Sequence, residues 1–436
     1  MATRIVIFET RDAAAGFGPL ARIRPVYDLL LGARRLVDKA AGAFLPLAPE
    51  VAPRAELAAL EARRGRAVFR AATLEVGDDV ILLSGDLVVT PDVARAVEES
   101  PSGTVFRHGR VPVGARLDGA RLRAALGKDG AVVPAALEAA GAGSLELEAR
   151  RVLAPWDLVD ANAAEIEREW ELLAARLPAS GWPEVDPRAA LLEPGRIRLE
   201  AGARVDAMAV LDARSGPILL CEGAEVAPFA RVIGPAVIGR GARVLGGRVG
   251  TATSVGPQCR VNGEVEASVL FGFSNKAHDG FLGHAVVAEW VNLGAMTTNS
   301  DLKNNYGTVR VRMDGREVDT GMMKVGVFLG DHVKTGIGTL LPTGGVVDVG
   351  SNLFGGGVFV PRWVPAFTWW DGRAMGEHRF AAFVETARRA MERRSIACDE
   401  ETERVFAKIF NETAGARVDA GASADGRSQV GERAHR

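Results

Sequence analysis

The sequence predicts an α/β domain over residues 1–185 followed by a hexapeptide β-solenoid over 190–370, closed by a helical cap at 371–412 and a disordered tail at 413–436. Three observations carry this. Apolar runs of strand length alternate with helically spaced segments in the first part. Beyond residue 190 the apolar period changes to six. That period is broken once, by a polar segment of unusual composition.

Residues 4–8 (RIVIF) form the short apolar run of a buried parallel strand. A loop with Gly16, Gly18 and Pro19 follows, then PVYDLLLGARRLVDKA with helical spacing. Helical patterns at 55–64 and 121–126 interleave with strand-like runs at 68–74, 79–84 and 104–107, which is the α/β signature. An amphipathic helix over 163–177 closes the domain, and Pro178, Gly181, Pro183 and Pro187 mark a linker.

Val226, Val232, Ile238 and Val244 then recur every six residues, and Val255 and Val261 resume the step after a slip. Leu329, Thr335, Leu341, Val347 and Leu353 repeat it downstream. Six fits neither a helix nor an alternating strand. It fits a coil of triangular section whose six-residue units each form one side and point one apolar residue inward. Residues 274–322 break the period, and a polar insertion from a rigid coil is where chemistry is expected. Helical patterns at 376–395 and 399–412 cap the coil.

The 436-residue length favours two domains plus an appendage. A net charge of −2 excludes a nucleic-acid footprint. Cys221, Cys259 and Cys398 lack metal-ligand spacing and read as reduced thiols of a cytoplasmic protein. MATRIVIFETR lacks the basic segment and long apolar run expected of a signal peptide, and no segment approaches the roughly 18–20 apolar residues expected of a membrane span.

Residues 274–334 concentrate types that are rare elsewhere. Of only seven lysines, nine asparagines and two tyrosines, this window holds Lys276, Lys303, Lys324, Lys334, Asn275, Asn292, Asn299, Asn304, Asn305 and Tyr306, together with His278, His284 and His332. A histidine suits removal of a proton at neutral pH, and lysines supply point charges for phosphate oxygens. His278 lies in a turn with Asp279 and Gly280 and is preferred as the base over His284. The three histidines lack the spacing and the cysteine of a zinc site. In the first part, ILLSGD ends a strand at Asp86, where a magnesium ligand or a simple turn cap would stand.

NKAHDGFLGH, WVNLGAMTTNSDLKNNYGTV and GVFLGDHVKTGIGTLLPTGGVV, with RPVYDLLLGARRL and LAPWDLVDAN upstream, resemble the short alternative form of the bacterial N-acetylglucosamine-1-phosphate uridyltransferase / glucosamine-1-phosphate acetyltransferase family. The resemblance implies a nucleotidyltransferase-like α/β domain, a left-handed parallel β-helix and a homotrimer. It implies that His278 is the acetyl-transfer base, that Asn292 binds the sugar phosphate or acetyl group, and that Asn305 and Tyr306 shape the acceptor or thioester site; Lys276, by its charge, is the candidate contact for phosphate oxygens of the sugar phosphate or of coenzyme A. Ala295, Asp331 and Lys334 would meet acetyl-CoA, with a pantetheine arm along GTLLPTGG. Phe281 replaces a tyrosine of the family pattern, and Asp331 replaces a serine, so the acceptor is less defined than the reaction type.

In the α/β domain the resemblance makes Arg24, with Arg11 and Arg22, the phosphate contacts and Asp86 the Mg²⁺ ligand. AAAGFGPLARIRP is sparse for such a loop, which predicts weak or absent nucleotidyl transfer. The expected function is acyl-CoA-dependent N-acetylation of an amino-sugar phosphate in sugar-nucleotide biosynthesis. The alternative is a sugar-1-phosphate nucleotidyltransferase whose β-helix only oligomerises or regulates it; a non-catalytic solenoid is disfavoured by the elaborated insertion.

Overall fold

The computed structural model describes residues 3–127, 130–174 and 184–421. They form two compact units: one of residues up to Phe17, Ile23–Leu29 and Arg34–Ala154, the other of Gly18–Arg22, Leu30–Ala33 and the chain from Pro155 onward.

The first unit is built on a six-stranded sheet. Thr3–Phe8 lies between Glu50–Ala52 and Asp79–Ser84, parallel to both. Val111–Asp118 runs antiparallel beside Asp79–Ser84, and Thr104–His108 and Gly143–Glu146 complete the far edge. Because strand side chains alternate, Ile5, Ile7, Ile81 and Leu83 fill one face, while Val6, Phe8, Val80 and Leu82 fill the other. Both faces are covered, so the central strands read as continuous apolar runs. Two expectations fail locally. Residues 68–74 hold only a bridge from Val68 to Val51 and a 3₁₀ turn, Ala71–Thr73. Of 25–40, only the part from Leu36 is α-helical, within Leu36–Ala43.

The helix expected to close this domain is Pro155–Ala174, and it falls in the second unit. Its Asn162 explains the docking: Oδ1 accepts from the Gly32 amide at 2.8 Å and the Ser254 hydroxyl at 3.0 Å, and Nδ2 donates to the Ala252 carbonyl at 2.8 Å. Ile166 packs beside Leu219 and Val237 on the coil. Residues 175–183, which include most of the predicted linker, lie outside the described residues.

The second unit is the parallel β-helix of triangular section that the six-residue period predicts. Face one stacks nine parallel strands from Ile197–Leu199 to Trp363–Val364. Face two stacks Arg204–Val205 through Asn275–Lys276, continuing by bridges through Asn292 to Lys334–Thr335. Face three stacks Ala190–Leu192 through Phe281–Gly283, and above it Thr298–Asn299 pairs with Leu340–Leu341. Val226, Val232, Ile238 and Val244 fall on faces two, three, one and two, each fully buried.

The break in the coil is shorter than 274–322. The coil runs on through Lys276, Leu282, Val287, Leu293 and Asn299, all buried, and the chain leaves it only between Ser300 and Gly326. Within that excursion Arg310–Met313 and Arg316–Asp319 form a hairpin. The helices Phe380–Glu392 and Glu400–Glu412 set Phe383 and Phe406 edge-on to His332. Ala414–Asp419, expected in the disordered tail, is a helix with Arg417 buried against the Thr413 hydroxyl and the Phe410 carbonyl. Residues 422–436 lie outside the described residues.

Candidate functional site

Each turn of the coil has three corners, and the nominated residues divide among them. At the corner from face two to face three, His278 and Asp279 are exposed. The His278 side chain makes no hydrogen bond among the described residues, and the next turn stacks on this corner through the Met296 amide and the Asp279 carbonyl, 3.0 Å apart. Ala295 sits one turn on, its carbonyl accepting from the Gly338 amide at 2.8 Å.

Lys276 does not face this corner's solvent. It pairs in register with Val261, so its side chain enters the coil and is 1% exposed. Its ammonium donates to the Asn262 carbonyl at 3.1 Å and to the His278 carbonyl, and burial pushes its pKa down to about 8. Lys276 is therefore a corner clamp under His278, correcting its expected role as a phosphate contact. Asn292 is exposed on face two and accepts from the Asn275 amide at 3.2 Å, while Arg394 reaches Asn275 at 3.0 Å.

At the corner from face one to face two, the two expected coenzyme contacts are turned to structural work. Asp331 is fully buried and accepts from the Glu289 amide at 3.0 Å. Lys334 donates to the Trp290 carbonyl at 2.6 Å and the His332 carbonyl at 3.3 Å, and burial lowers its pKa to about 8. His332 is buried beneath Phe383 and Phe406.

The third corner carries the inserted loop, with Asn305 and Tyr306 exposed on it. Here the structure supplies a pair that spacing did not: His284 Nδ1 stands 2.7 Å from Asp301 Oδ2. Burial works against ionisation of Asp301, but the His284 hydrogen bond and charge, with Lys324, hold its carboxyl below the usual range. A carboxylate on Nδ1 fixes the tautomer and leaves Nε2 as the proton acceptor. The strand Phe281–Gly283 separates this corner from His278.

In the first unit, Asp86 follows the strand end as expected but is 1% exposed and ion-paired with Arg151. Arg24 is fully buried. It lies by Asp28, whose carboxyl is penalised by burial yet held below its ordinary range by Arg35, Arg64, Arg66 and Arg24. Arg22 belongs to the second unit, where it pairs with Asp348 at 2.9 Å and with Asp314. The expected phosphate loop is instead the helix Arg11–Phe17 and a 3₁₀ turn, Gly18–Ala21. A Cβ at Gly16 would stand 2.5 Å from the Leu153 carbonyl oxygen, so this glycine serves close packing. Glu9, missed in the sequence, ends the first strand; burial pushes it up to about 7 against Arg54 and the Val26 amide. Its only signal is its place after a parallel strand, where α/β folds bind ligands.

No group of three His, Cys, Asp or Glu side chains is arranged for a metal ion among the described residues. Asp86, held by Arg151, does not fit a magnesium ligand.

Residues 5–177 match the family described as sugar nucleotidyl transferase. The chain is 40% identical over 80 residues to the bifunctional sugar-1-phosphate nucleotidylyltransferase/acetyltransferase of Sulfurisphaera tokodaii, covering 18% of this chain and 20% of that protein. It is 34% identical over 89 residues to the bifunctional protein GlmU of Methanocaldococcus jannaschii, covering 20% and 21%. The chain thus spans about a fifth of the length of the curated relatives it matches. Among solved structures, the UDP-N-acetylglucosamine acyltransferase from Campylobacter jejuni aligns at 12% identity over 54% of this chain and 83% of that one, with a TM-score of 0.29. The Arabidopsis UDP-N-acetylglucosamine acyltransferase aligns at 14%, over 54% and 92%, with a TM-score of 0.20. The β-helix rests on its own strand register, and the N-terminal likeness on the match of residues 5–177 to the sugar nucleotidyl transferase family.

Proposed function

We propose that the chain is a transferase of sugar-nucleotide biosynthesis whose β-helix N-acetylates an amino-sugar phosphate from an acyl-CoA. The observation that carries this reading is the union, in one chain, of a sugar nucleotidyl transferase segment with a hexapeptide coil interrupted at 300–326. His278, at an exposed corner with its ring unengaged, takes the proton from the acceptor amine as the C–N bond forms. The thioester C–S bond breaks, and the thiolate leaves with that proton. Asn292 positions the acceptor from face two.

Asn305 and Tyr306 stand on a different corner from His278. A neighbouring copy of the chain brings the two corners together, so we propose a homotrimer with sites between subunits. Light scattering that found a monomer at micromolar concentration would remove this arrangement. No described helix is long and apolar enough to cross a membrane, in keeping with a proposed cytoplasmic enzyme. The N-terminal segment we read as a weak or inactive nucleotidyltransferase, because Asp86 is ion-paired with Arg151 and Arg24 is fully buried.

A second reading, favoured by the Asp301 contact, makes His284 the base. The deciding experiment offers a panel of amino-sugar phosphates and sugar 1-phosphates and follows CoA thiol and pyrophosphate release in parallel. Thiol release lost in H278A but kept in H284A supports the first reading, and the reverse supports the second. Pyrophosphate release alone means that the coil only oligomerises or regulates a nucleotidyltransferase. Release of neither product ends the transferase reading.

A further inference from the structure

The helix Phe380–Glu392 ends in a tight cap that presents one arginine to face two. The Ser395 amide donates to the Glu392 carbonyl at 2.8 Å, and the Ile396 amide to the Met391 carbonyl at 3.1 Å. Ser395 takes a left-handed φ of 57°. This pair of bonds is the Schellman arrangement, which satisfies the last carbonyls of a helix. It sets Arg394 at the C-cap, where the helix dipole favours a cation. Phe383, Val384, Ala387 and Met391 are buried, so the helix gives this side chain a firm base.

From there Arg394 Nη2 donates to Asn275 Oδ1 at 3.0 Å, and Asn275 Nδ2 donates to Asn292 Oδ1 at 3.2 Å. Asn275 and Asn292 are neighbours in one column of face two, joined by a parallel bridge. An asparagine amide is nearly symmetric in shape, with an acceptor at one end and two donors at the other. Alone, it can turn either end to a ligand. A guanidinium only donates. Asn275 must therefore turn its oxygen to Arg394 and its NH₂ to Asn292. Asn292 must in turn spend its oxygen on Asn275 and keep its NH₂ outward. Asn292 is exposed, and Lys334, next in the column, sends its ammonium to the Trp290 and His332 carbonyls instead. Arg394 is half-buried and forms no ion pair among the described residues. Burial first, then the cations Arg260 and Arg393, push its pKa down, and no carboxylate draws its donors away from Asn275.

We propose that Arg394 is a positioning residue: through Asn275 it holds the Asn292 amide with its NH₂ toward the substrate, so that the atom of the amino-sugar phosphate met there is a hydrogen-bond acceptor. This rests on the acyl-transfer reading, in which Asn292 positions the amino sugar, and adds the polarity of that contact and the residue that sets it. A helix outside the coil thereby fixes which substrate group the coil can recognise.

A first test needs no substrate. The chain has only nine asparagines, so ¹⁵N-asparagine labelling of the full chain gives few side-chain amide signals. Asn275→Ala and Asn292→Ala assign the two that matter. Arg394→Met should shift both signals, and Arg394→Lys, which still donates, should return them toward wild type. Signals that do not respond to Arg394→Met overturn the proposal.

The second test follows CoA thiol release against amino-sugar phosphate. Arg394→Met should raise KM by about three- to tenfold and leave kcat within about twofold, the effect of losing one hydrogen bond that moves no proton. In an Asn292→Ala background the same change should raise KM no further. An equal rise there means that Arg394 only supports the fold, which overturns the proposal. Asn292→Asp keeps the bond from Asn275 but turns an oxygen outward, so it should raise KM more than Asn292→Ala does. A lower KM than that of Asn292→Ala means that the substrate atom is a donor, and this also overturns it. Arg394→Gln, which can turn either end of its own amide to Asn275, should fall between wild type and Arg394→Met. It covers the case in which Arg394→Met fails to fold. A wild-type chain that releases no thiol with any amino-sugar phosphate ends the acyl-transfer reading, and the amide signals then decide by themselves whether Arg394 sets Asn292.

Discussion

His284 Nδ1 lies 2.7 Å from Asp301 Oδ2, joining the last residue before a coil corner to the first turn of the inserted loop. The two side chains are 18% and 14% exposed. This contact helps fasten the loop to the coil whatever its part in catalysis, alongside the Thr343 hydroxyl on Ser300. Asp301→Ala should cost about 1–3 kcal/mol of stability and expose the 300–326 loop to proteolysis. Urea unfolding and limited digestion read both effects, and an unchanged digestion pattern would show that the contact does not hold the loop.

For the proposed acyl transfer, His278→Ala should lower kcat by about 10²–10⁴-fold, the range of a positioned general base. Thermal stability should hardly change, since the ring is exposed and makes no hydrogen bond among the described residues. Asn292→Ala should raise KM more than it lowers kcat, because Asn292 positions the acceptor and moves no proton. A variant of His278 with wild-type turnover and an intact acidic limb in its pH profile would sink the assignment.

Asp86 carries a structural prediction in place of a metal-binding one. Its partner Arg151 is largely buried, so Asp86→Ala leaves a cation without its counter-charge. The loss should be about 3–5 kcal/mol, whereas Asp86→Leu/Arg151→Met removes both charges and should cost far less. Equal losses in the single and double variants, read by chemical denaturation, would refute the pairing argument.

Lys276 should make stability rise with pH. Its folded pKa is depressed to about 8, below the unfolded value of about 10.4. Between these values the unfolded chain binds more protons, so stability grows as pH rises through that window. Lys334 shifts in the same direction, and Lys276→Met isolates one contribution. The stability difference between wild type and Lys276→Met should move toward wild type by about 1–3 kcal/mol from pH 8 to pH 10. A difference that stays flat across that range contradicts an interior ammonium.

Much of this architecture was legible in the sequence because repetition and alternation are local properties. Valine every six residues dictates a triangular coil, and RIVIF and DVILLS dictate strands buried on both faces. The coil became illegible at 274–299 for a specific reason: Lys276 and Asn299 occupy inward positions where the pattern demands an aliphatic residue. Their backbone register is unbroken, and their polar atoms are satisfied by corner carbonyls and by the Gly283 amide. Residue type pointed to a site there, while register assigns part of the same composition to holding the coil.

What spacing along the chain could not supply was which side chains meet. His284 finds Asp301 across 17 positions, and Asp86 finds Arg151 across 65. Such contacts follow from the stacking of turns and sheet strands, which sets residues distant in sequence side by side. The sequence by itself therefore determined the period, the faces and the place of the insertion. Only the tertiary structure decided which charged groups are already neutralised by a partner and which are not.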